Sequence, residues 1–364
     1  MVSELLPLFE SREPELDRNA LPAVENLHDL RHAGLLRLNV PVHAGGLGGD
    51  LSDSVEALRL LAHASPSTAL MLAMHNSTLA NYLLDAAIVP AAQQEYFRAQ
   101  RAWAWHEAAS GKIFGVANSE PGAGGNVHAS KTTVDEDGLR VSGLKSFASM
   151  GLEADYFMVV ARHSSLPVEY YLVENDPERV LVERGWDATG MRGSDSVTLR
   201  FDSAPVIGPL GYRGLLDGPN NRHWSTLSFT AVFIGTAESL LAATSRTAEG
   251  MLQKTAAVEL HLALQACRGM LRHCVATAPE SPGTDYRRLV RDCKVFVTRT
   301  LAEKGAALFS AQGGGAYRFT SPVARSFRDL LAGPLLRPPV GATFDEIWEE
   351  LSANGGDAEK LNGS

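Results

Sequence analysis

The feature that most restricts the fold is a change of texture along the chain. Residues 1–112 carry mostly helical patterns, Ile113 to about Pro209 carries short runs rich in Val, Phe, Tyr and Thr, and helical texture returns from Asn221. The middle runs include SKTTVDE, GLRVSGLKSFAS, DYFMVVARH, VEYYLVE and DSVTLRFDSAPV. No helical crossovers separate them, so they predict an antiparallel β domain rather than a βαβ sheet. Glu136-Asp137-Gly138 supplies a hairpin turn between two of them. The expected fold class is α+β. It has an N-terminal helical domain (1–112), a middle β domain (113–215), a C-terminal helical bundle (216–353) and a flexible, polar, Gly-rich tail (354–364).

Within the helical parts, Leu21–Ala33 reads as a helix stopped by Gly34. Ser52 is placed to cap the next helix, which runs toward Pro66. Ser67–Ala87 is apolar on nearly all sides and predicts a buried helix. Residues 223–246, 255–277 and 285–310 predict three long helices, and 321–331 and 343–352 two shorter ones.

A chain of 364 residues exceeds one ordinary core and predicts two or three packed domains. The net charge of −9, with no Lys/Arg block, sets nucleic acid aside as a partner. An anionic ligand is still compatible, because helix N-termini and a few local cations suffice to hold one. The three cysteines, Cys267, Cys274 and Cys293, form no CxxC pair and read as reduced thiols in a cytoplasmic protein. Cys267 and Cys274 are seven apart and suit one helix face as small core residues. The acidic start is unlike a signal peptide, and no apolar run of about 18 residues predicts a membrane span. The histidines show no metal-ligand spacing, so no metal is expected. His75 reads as a satisfied core residue. His106-Glu107 reads either as a structural pair or as part of a cavity, and Arg192 as a partner of Asp195 or of a phosphate.

Four segments carry chemistry. The first is Ser119-Glu120-Pro121-Gly122-Ala123-Gly124-Gly125-Asn126, a Gly-rich loop after a strand that lets a ring or phosphate approach the backbone. The second is Gly143 to Gly151 (GLKSFASMG), the third Gly190 to Ser196 (GMRGSDS), and the fourth Gly313-Gly314-Gly315-Ala316-Tyr317 with Arg328-Asp329 behind it. In this order, with GLLRLNVPVHAGGLGGD in the opening helical stretch, they resemble the acyl-CoA dehydrogenase superfamily over roughly residues 20–350.

The resemblance implies FAD lying between the β domain and the C-terminal helices of a homo-oligomer, either dimer or tetramer. It assigns Ser119 to the flavin pyrimidine edge, Phe147 to the face of the ring and Ser149 to the neighbourhood of N5 and O4. Gly313 and Gly314 would approach FAD from a neighbouring subunit. Three positions depart from the family pattern. Gly125-Asn126 replaces Ser-Asp, and the Arg-x-x-Phe-Gly segment is replaced by Glu249-Gly250-Met251-Leu252-Gln253-Lys254. Arg337 stands where most members keep the catalytic Glu, and Leu252 where a minority keep it. Glu249 is the carboxylate nearest the second position and the candidate base, or else an ordinary solvated helix carboxylate.

The activity implied first is α,β-desaturation of an acyl thioester of fatty acid metabolism, on CoA or an acyl carrier, with hydride transfer to FAD and an electron-transfer flavoprotein as acceptor. A second reading is a reduced-flavin-dependent monooxygenase on the same fold, served by a flavin reductase and needing no such base. A third is a degenerate homologue that binds without catalysing.

Overall fold

The structure is a computed structural model and describes residues 1–123, 126–246, 248–279, 282–336 and 339–353. Arg337, Gly124 and Gly125 of the Gly-rich loop, and the expected tail from residue 354 lie outside the described residues.

The opening helices are α1 (Val2–Asn19), α2 (Val24–His32), α3 (Leu51–Ala64), α4 (Pro66–Leu79) and α5 (Gln94–Ala109). Gly34 adopts φ +75°, a left-handed conformation that ends the α2 segment as its sequence predicts. The cap of α3 is Asp50, not Ser52. Its carboxylate accepts the Asp53 N–H at 2.9 Å while Asp53 accepts the Asp50 N–H at 3.1 Å, a reciprocal box that a serine two residues later cannot form. Every residue of α4 is buried. It ends at Leu79, short of the expected Ala87, and passes into a 3-10 turn at Ala80–Leu83.

The middle strands are β1 (Phe114–Ala117), β2 (Thr133–Val134), β3 (Arg140–Ala148), β4 (Tyr156–Arg162), β5 (Val168–Glu174), β6 (Val180–Arg184) and β7 (Val197–Pro209). The expected hairpin forms between β2 and β3: Gly138 takes φ +74° and Asp135 accepts the Leu139 and Arg140 N–H groups. The sheet is mostly antiparallel, but β4 runs parallel to both β1 and β2. Pairings of β2 with β3, β3 with β7, β7 with β5 and β5 with β4 then close a ring. The purely antiparallel expectation fails because the β2–β3 hairpin, not a helix, serves as the crossover from β1 to β4.

His75 joins the helical part to the β part. Its Nδ1 accepts the Phe114 N–H at 3.0 Å, which leaves Nε2–H to donate to the Leu36 carbonyl at 2.6 Å. Burial pushes its pKa down to about 4, so it is the neutral, fully paired core histidine expected from sequence.

The C-terminal helices are α6 (Arg222–Ser245), α7 (Met251–Ala276), α8 (Thr284–Ser310), α9 (Pro322–Leu330) and α10 (Val340–Ala353). Long and apolar enough by composition to cross a membrane, α6 is mostly buried here as a core helix against α3, α4, α7, α8 and α9. Thr230, Thr236 and Thr244 hide their hydroxyls on carbonyls four residues back. Buried Glu238 is gripped by Arg59 from α3 at 2.5 Å and by Arg268 from α7 at 2.7 Å. All three cysteines are buried and free in the α7–α8 seam. Gly235 marks the tightest crossing, since a Cβ there would stand 2.1 Å from the Arg59 carbonyl oxygen of α3. We expect Gly235→Ala to lower stability by about 1–3 kcal/mol in urea denaturation, because backbone cannot yield as a side chain does.

A second buried polar knot ties α1 to α9. Asp17 pairs with Arg328, and Arg192 donates to the Asp17 carbonyl at 2.6 Å. Arg192 therefore does not pair with Asp195, whose carboxylate instead accepts the Leu152 N–H. Burial pushes the Glu13 carboxyl up to about 8, with repulsion from Asp329 adding to it, and pushes Asp329 up to about 6. Both groups bind protons more tightly folded than unfolded. Their contribution is complete below their ordinary pKa values and is lost as pH rises through about 6 and about 8. Thermal unfolding followed from about pH 5 to about pH 9 should show a falling melting temperature, and Glu13→Gln should flatten that fall.

Candidate active site

The end of β1, the end of β3, the α4 end and the starts of α6 and α8 enclose a cavity of about 420 Å³. This volume suits a small ligand. Val116, Met158, Phe229 and Val290 give it apolar walls.

Ser119 and Phe147 line it together. Ser119 bridges to Ser146 of β3, which brings the Gly-rich loop beside that strand. Phe147 is 59% exposed and takes φ +57°, a conformation that costs an aromatic residue of order 1 kcal/mol or more. Its ring meets Trp186 edge to face at 6.1 Å, and the Trp186 indole N–H donates to the Met191 carbonyl at 2.8 Å. The backbone is thus bent to present the ring to the cavity and braced there.

Ser149 is buried behind this turn and is not a lining residue. Its hydroxyl bonds Ser196 at 2.7 Å, and Ser196 bonds Ser194 at 2.7 Å. Gly313 and Gly314 lie on an exposed segment before α9, with open space around them and away from the cavity lining. Glu249 is exposed just before α7, where its own N–H bonds the Gln253 side chain, and it does not line the cavity. Leu252 is likewise exposed. His106 is exposed, and Glu107 accepts the Tyr156 hydroxyl at 2.8 Å, so Glu107 braces the start of β4.

Sequence reasoning passed over several residues. Glu120, in the Gly-rich loop, is the loop's anchor. Its carboxylate accepts Lys145 Nζ at 2.6 Å, the Ser130 hydroxyl at 2.5 Å and the Lys131 N–H at 2.7 Å. Burial alone would raise this carboxyl, but the fully buried Lys145 ammonium and the other donors outweigh it and hold it at about 2. Asn81, Asn118 and His223 also line the cavity, and Asn81 Oδ1, Asn118 Oδ1 and His223 Nδ1 are buried without a partner. Asn81 spends its Nδ2 on the Ser77 and Thr78 carbonyls, so an acceptor is what remains. Buried polar atoms of this kind are ordinarily satisfied, and three around one cavity mark a place for a hydrogen-bonding ligand. Burial, reinforced by Arg287, pushes His223 down to about 4, so it is neutral near pH 7. Among the described residues the one carboxylate lining the cavity is Glu346, 3.8 Å from Arg291.

This architecture and loop-and-strand site define an acyl-CoA dehydrogenase-fold protein. Residues 3–100 match the family model of the acyl-CoA dehydrogenase N-terminal domain and residues 115–204 that of the middle domain, and the chain belongs to this family. It is 27% identical over 372 residues to an L-evernosamine nitrososynthase of a Micromonospora species, covering 93% of this chain and 85% of the relative. It is 29% identical over 276 residues to an isobutylamine N-hydroxylase of Streptomyces viridifaciens, covering 71% and 69%. Among solved structures, KijD3 in complex with FMN and dTDP-3-amino-2,3,6-trideoxy-4-keto-3-methyl-D-glucose superposes with a TM-score of 0.80 at 26% identity, covering 97% of this chain and 92% of that one. Butyryl-CoA dehydrogenase from Megasphaera elsdenii shares the fold at a TM-score of 0.78 and 19% identity, covering 94% and 96%.

Removing one member of the Glu120–Lys145 pair strands the other in the interior. Lys145→Met should cost about 3–5 kcal/mol in chemical denaturation and speed proteolysis within the loop that follows Glu120.

Proposed function

We propose that this protein is a flavin-dependent monooxygenase that receives reduced flavin from a separate reductase and oxygenates a nitrogen atom of a small amine-bearing substrate. The observation that carries this reading is the cavity itself. It presents ring-facing and hydrogen-bonding residues, yet its one lining carboxylate among the described residues stands beside an arginine. Desaturation of an acyl thioester needs a free carboxylate base at the α-carbon. Glu249, exposed before α7, gives that role no support. The similarity to a nitrososynthase and an N-hydroxylase points the same way.

The cofactor in this reading is FAD or FMN, and the residues fit it. A bound reduced flavin supplies the two electrons with which dioxygen is divided between substrate and water. Phe147 would lie against the ring, Ser119 would donate to its pyrimidine edge, and Asn118 Oδ1, buried without a partner at the cavity, would accept an N–H. Ser149, tied to Ser196, fixes the turn that aims Phe147. Val116, Met158 and Phe229 exclude water from the reacting atoms. An amine in this setting, beside arginines and a neutral His223, is favoured as the free base, whose nitrogen lone pair the reaction needs. A homo-oligomer belongs to the same proposal, with Gly313 and Gly314 turned toward a neighbour's cofactor. The exposed Met251, Leu252, Val258 and Leu262 on α7 would form a covered face. So does a cytoplasmic location, which keeps the three cysteines reduced.

The purified protein, supplied with reduced FMN or FAD, should consume dioxygen and convert an amine probe such as isobutylamine to a hydroxylamine product detected by mass spectrometry. Anaerobic bleaching of a bound flavin by an acyl-CoA, with no oxygenated product in air, would return the assignment to a dehydrogenase. Phe147→Ala should weaken flavin binding roughly tenfold, read by fluorescence quenching.

A further inference from the structure

The cavity mouth has a charge pattern unlike the rest of this acidic chain. α6 begins at Arg222 and α8 at Thr284, and the lining residues Arg222, His223, Pro282 and Arg287 bring the two starts to one opening. Neither N-cap residue, Asn221 or Gly283, caps its helix with a side chain, so the positive dipole ends of both face the opening. In α6 the Arg222 N–H is taken by the Asn220 side chain at 3.2 Å and the Trp224 N–H by the Asn221 carbonyl at 2.9 Å, which leaves the His223 N–H for a ligand. Arg222 donates to the Leu216 carbonyl at 2.6 Å and Arg287 to the Gly218 carbonyl at 3.5 Å, which sets both guanidinium groups on the same loop. Among the described residues neither has a carboxylate within salt-bridge distance. Asp285, in the same turn, is drawn to Arg288 at 3.5 Å, and Glu346 and Glu350 to Arg291. In the groove between α3 and α7, by contrast, Arg59 and Arg268 are both neutralised by Glu238.

A second observation points to a ligand. His223, the second residue of α6, is only 8% exposed, and its Nδ1 has no partner. Its ring stands edge to face with Tyr286 of α8 at 5.6 Å, which places the two helix starts side by side.

We propose that this mouth is a phosphate-binding subsite formed by Arg222, Arg287, His223 and the first turns of α6 and α8. Two forked cations can take a phosphate or diphosphate bidentately, and the backbone N–H groups complete its coordination. A neutral His223 contributes a hydrogen bond rather than a charge. The subsite deepens the monooxygenase reading and rests on it in one respect: the substrate is then an amine carrying a phosphate or diphosphate handle, held at the mouth while its nitrogen reaches inward. The flavin's own phosphate shares this chemistry and is the other possible occupant.

Isothermal titration with inorganic pyrophosphate, FMN and riboflavin separates these sources. Wild-type protein should bind pyrophosphate, and Arg222→Gln and Arg287→Gln should each weaken that binding roughly tenfold. Arg272→Gln, an exposed arginine of α7 away from the mouth, should leave it unchanged. If FMN affinity stays constant in the two variants, the handle belongs to the substrate. If FMN weakens and riboflavin does not, the subsite holds the cofactor's phosphate. Pyrophosphate and FMN binding both unaltered by either substitution, in variants with native circular dichroism, overturns the subsite. Hydroxylamine formation from isobutylamine by the wild type with reduced FMN in air, against a protein-free control in which reduced FMN only autoxidises, tests the monooxygenase reading independently of these titrations.

Discussion

The molecule is organised around a helix that must be covered on every side. α6 has no polar face to give to water, so it folds only when α3, α4, α7, α8 and α9 enclose it together. That requirement explains the close approach at Gly235, the threonines that bond back onto their own helix, and the carboxylate of Glu238 shared by arginines from two neighbours. It also fixes where function can sit. The part of α6 that opens to the cavity is its first two turns, from Arg222 to Phe229, which form one of its walls. The core helix and a wall of the cavity are two stretches of a single element.

The opposite wall is held by a different force. The β part meets the cavity through a Gly-rich loop and the end of β3, neither of which has much apolar surface to bury. A buried ion pair between Glu120 and Lys145 takes the place of packing there. Ionic anchoring suits this position because it fixes the loop by direction and distance, which apolar contacts do less sharply. The bundle and the β ring therefore meet at a cavity whose two sides are set by unlike interactions, and His75 bonds one to the other from behind.

Much of this was legible in the sequence. The three-part order came from texture, and Ser119 and Phe147 were found by motif because a Gly-rich loop and a strand end are local features. What was not legible depends on tertiary placement. His223, Arg222 and Arg287 belong to no motif; they matter because two helices distant in sequence begin at the same point. Glu120 looked like a bystander beside Ser119, since nothing local shows that a lysine twenty-five residues on is buried against it. Counting along the chain toward a catalytic carboxylate led to Glu249 and Leu252, which are exposed at the α6–α7 junction. The count could not show that the start of α6, not the start of α7, lines the cavity. Ser52 missed its role by two residues because a reciprocal cap depends on Asp50 and Asp53 acting together.

The left-handed backbone at Phe147 has a consequence for affinity. A half-exposed aromatic ring, already turned outward and braced by Trp186, is a preorganised platform. Its unfavourable dihedral is settled during folding, before any planar ligand arrives, so stacking need not be offset by ordering the loop. A glycine or asparagine at this position would relax the chain and steady the free protein, yet leave a surface with less to offer a ring. Stability and recognition are opposed at this single residue, and the folded chain keeps the strained side of that choice.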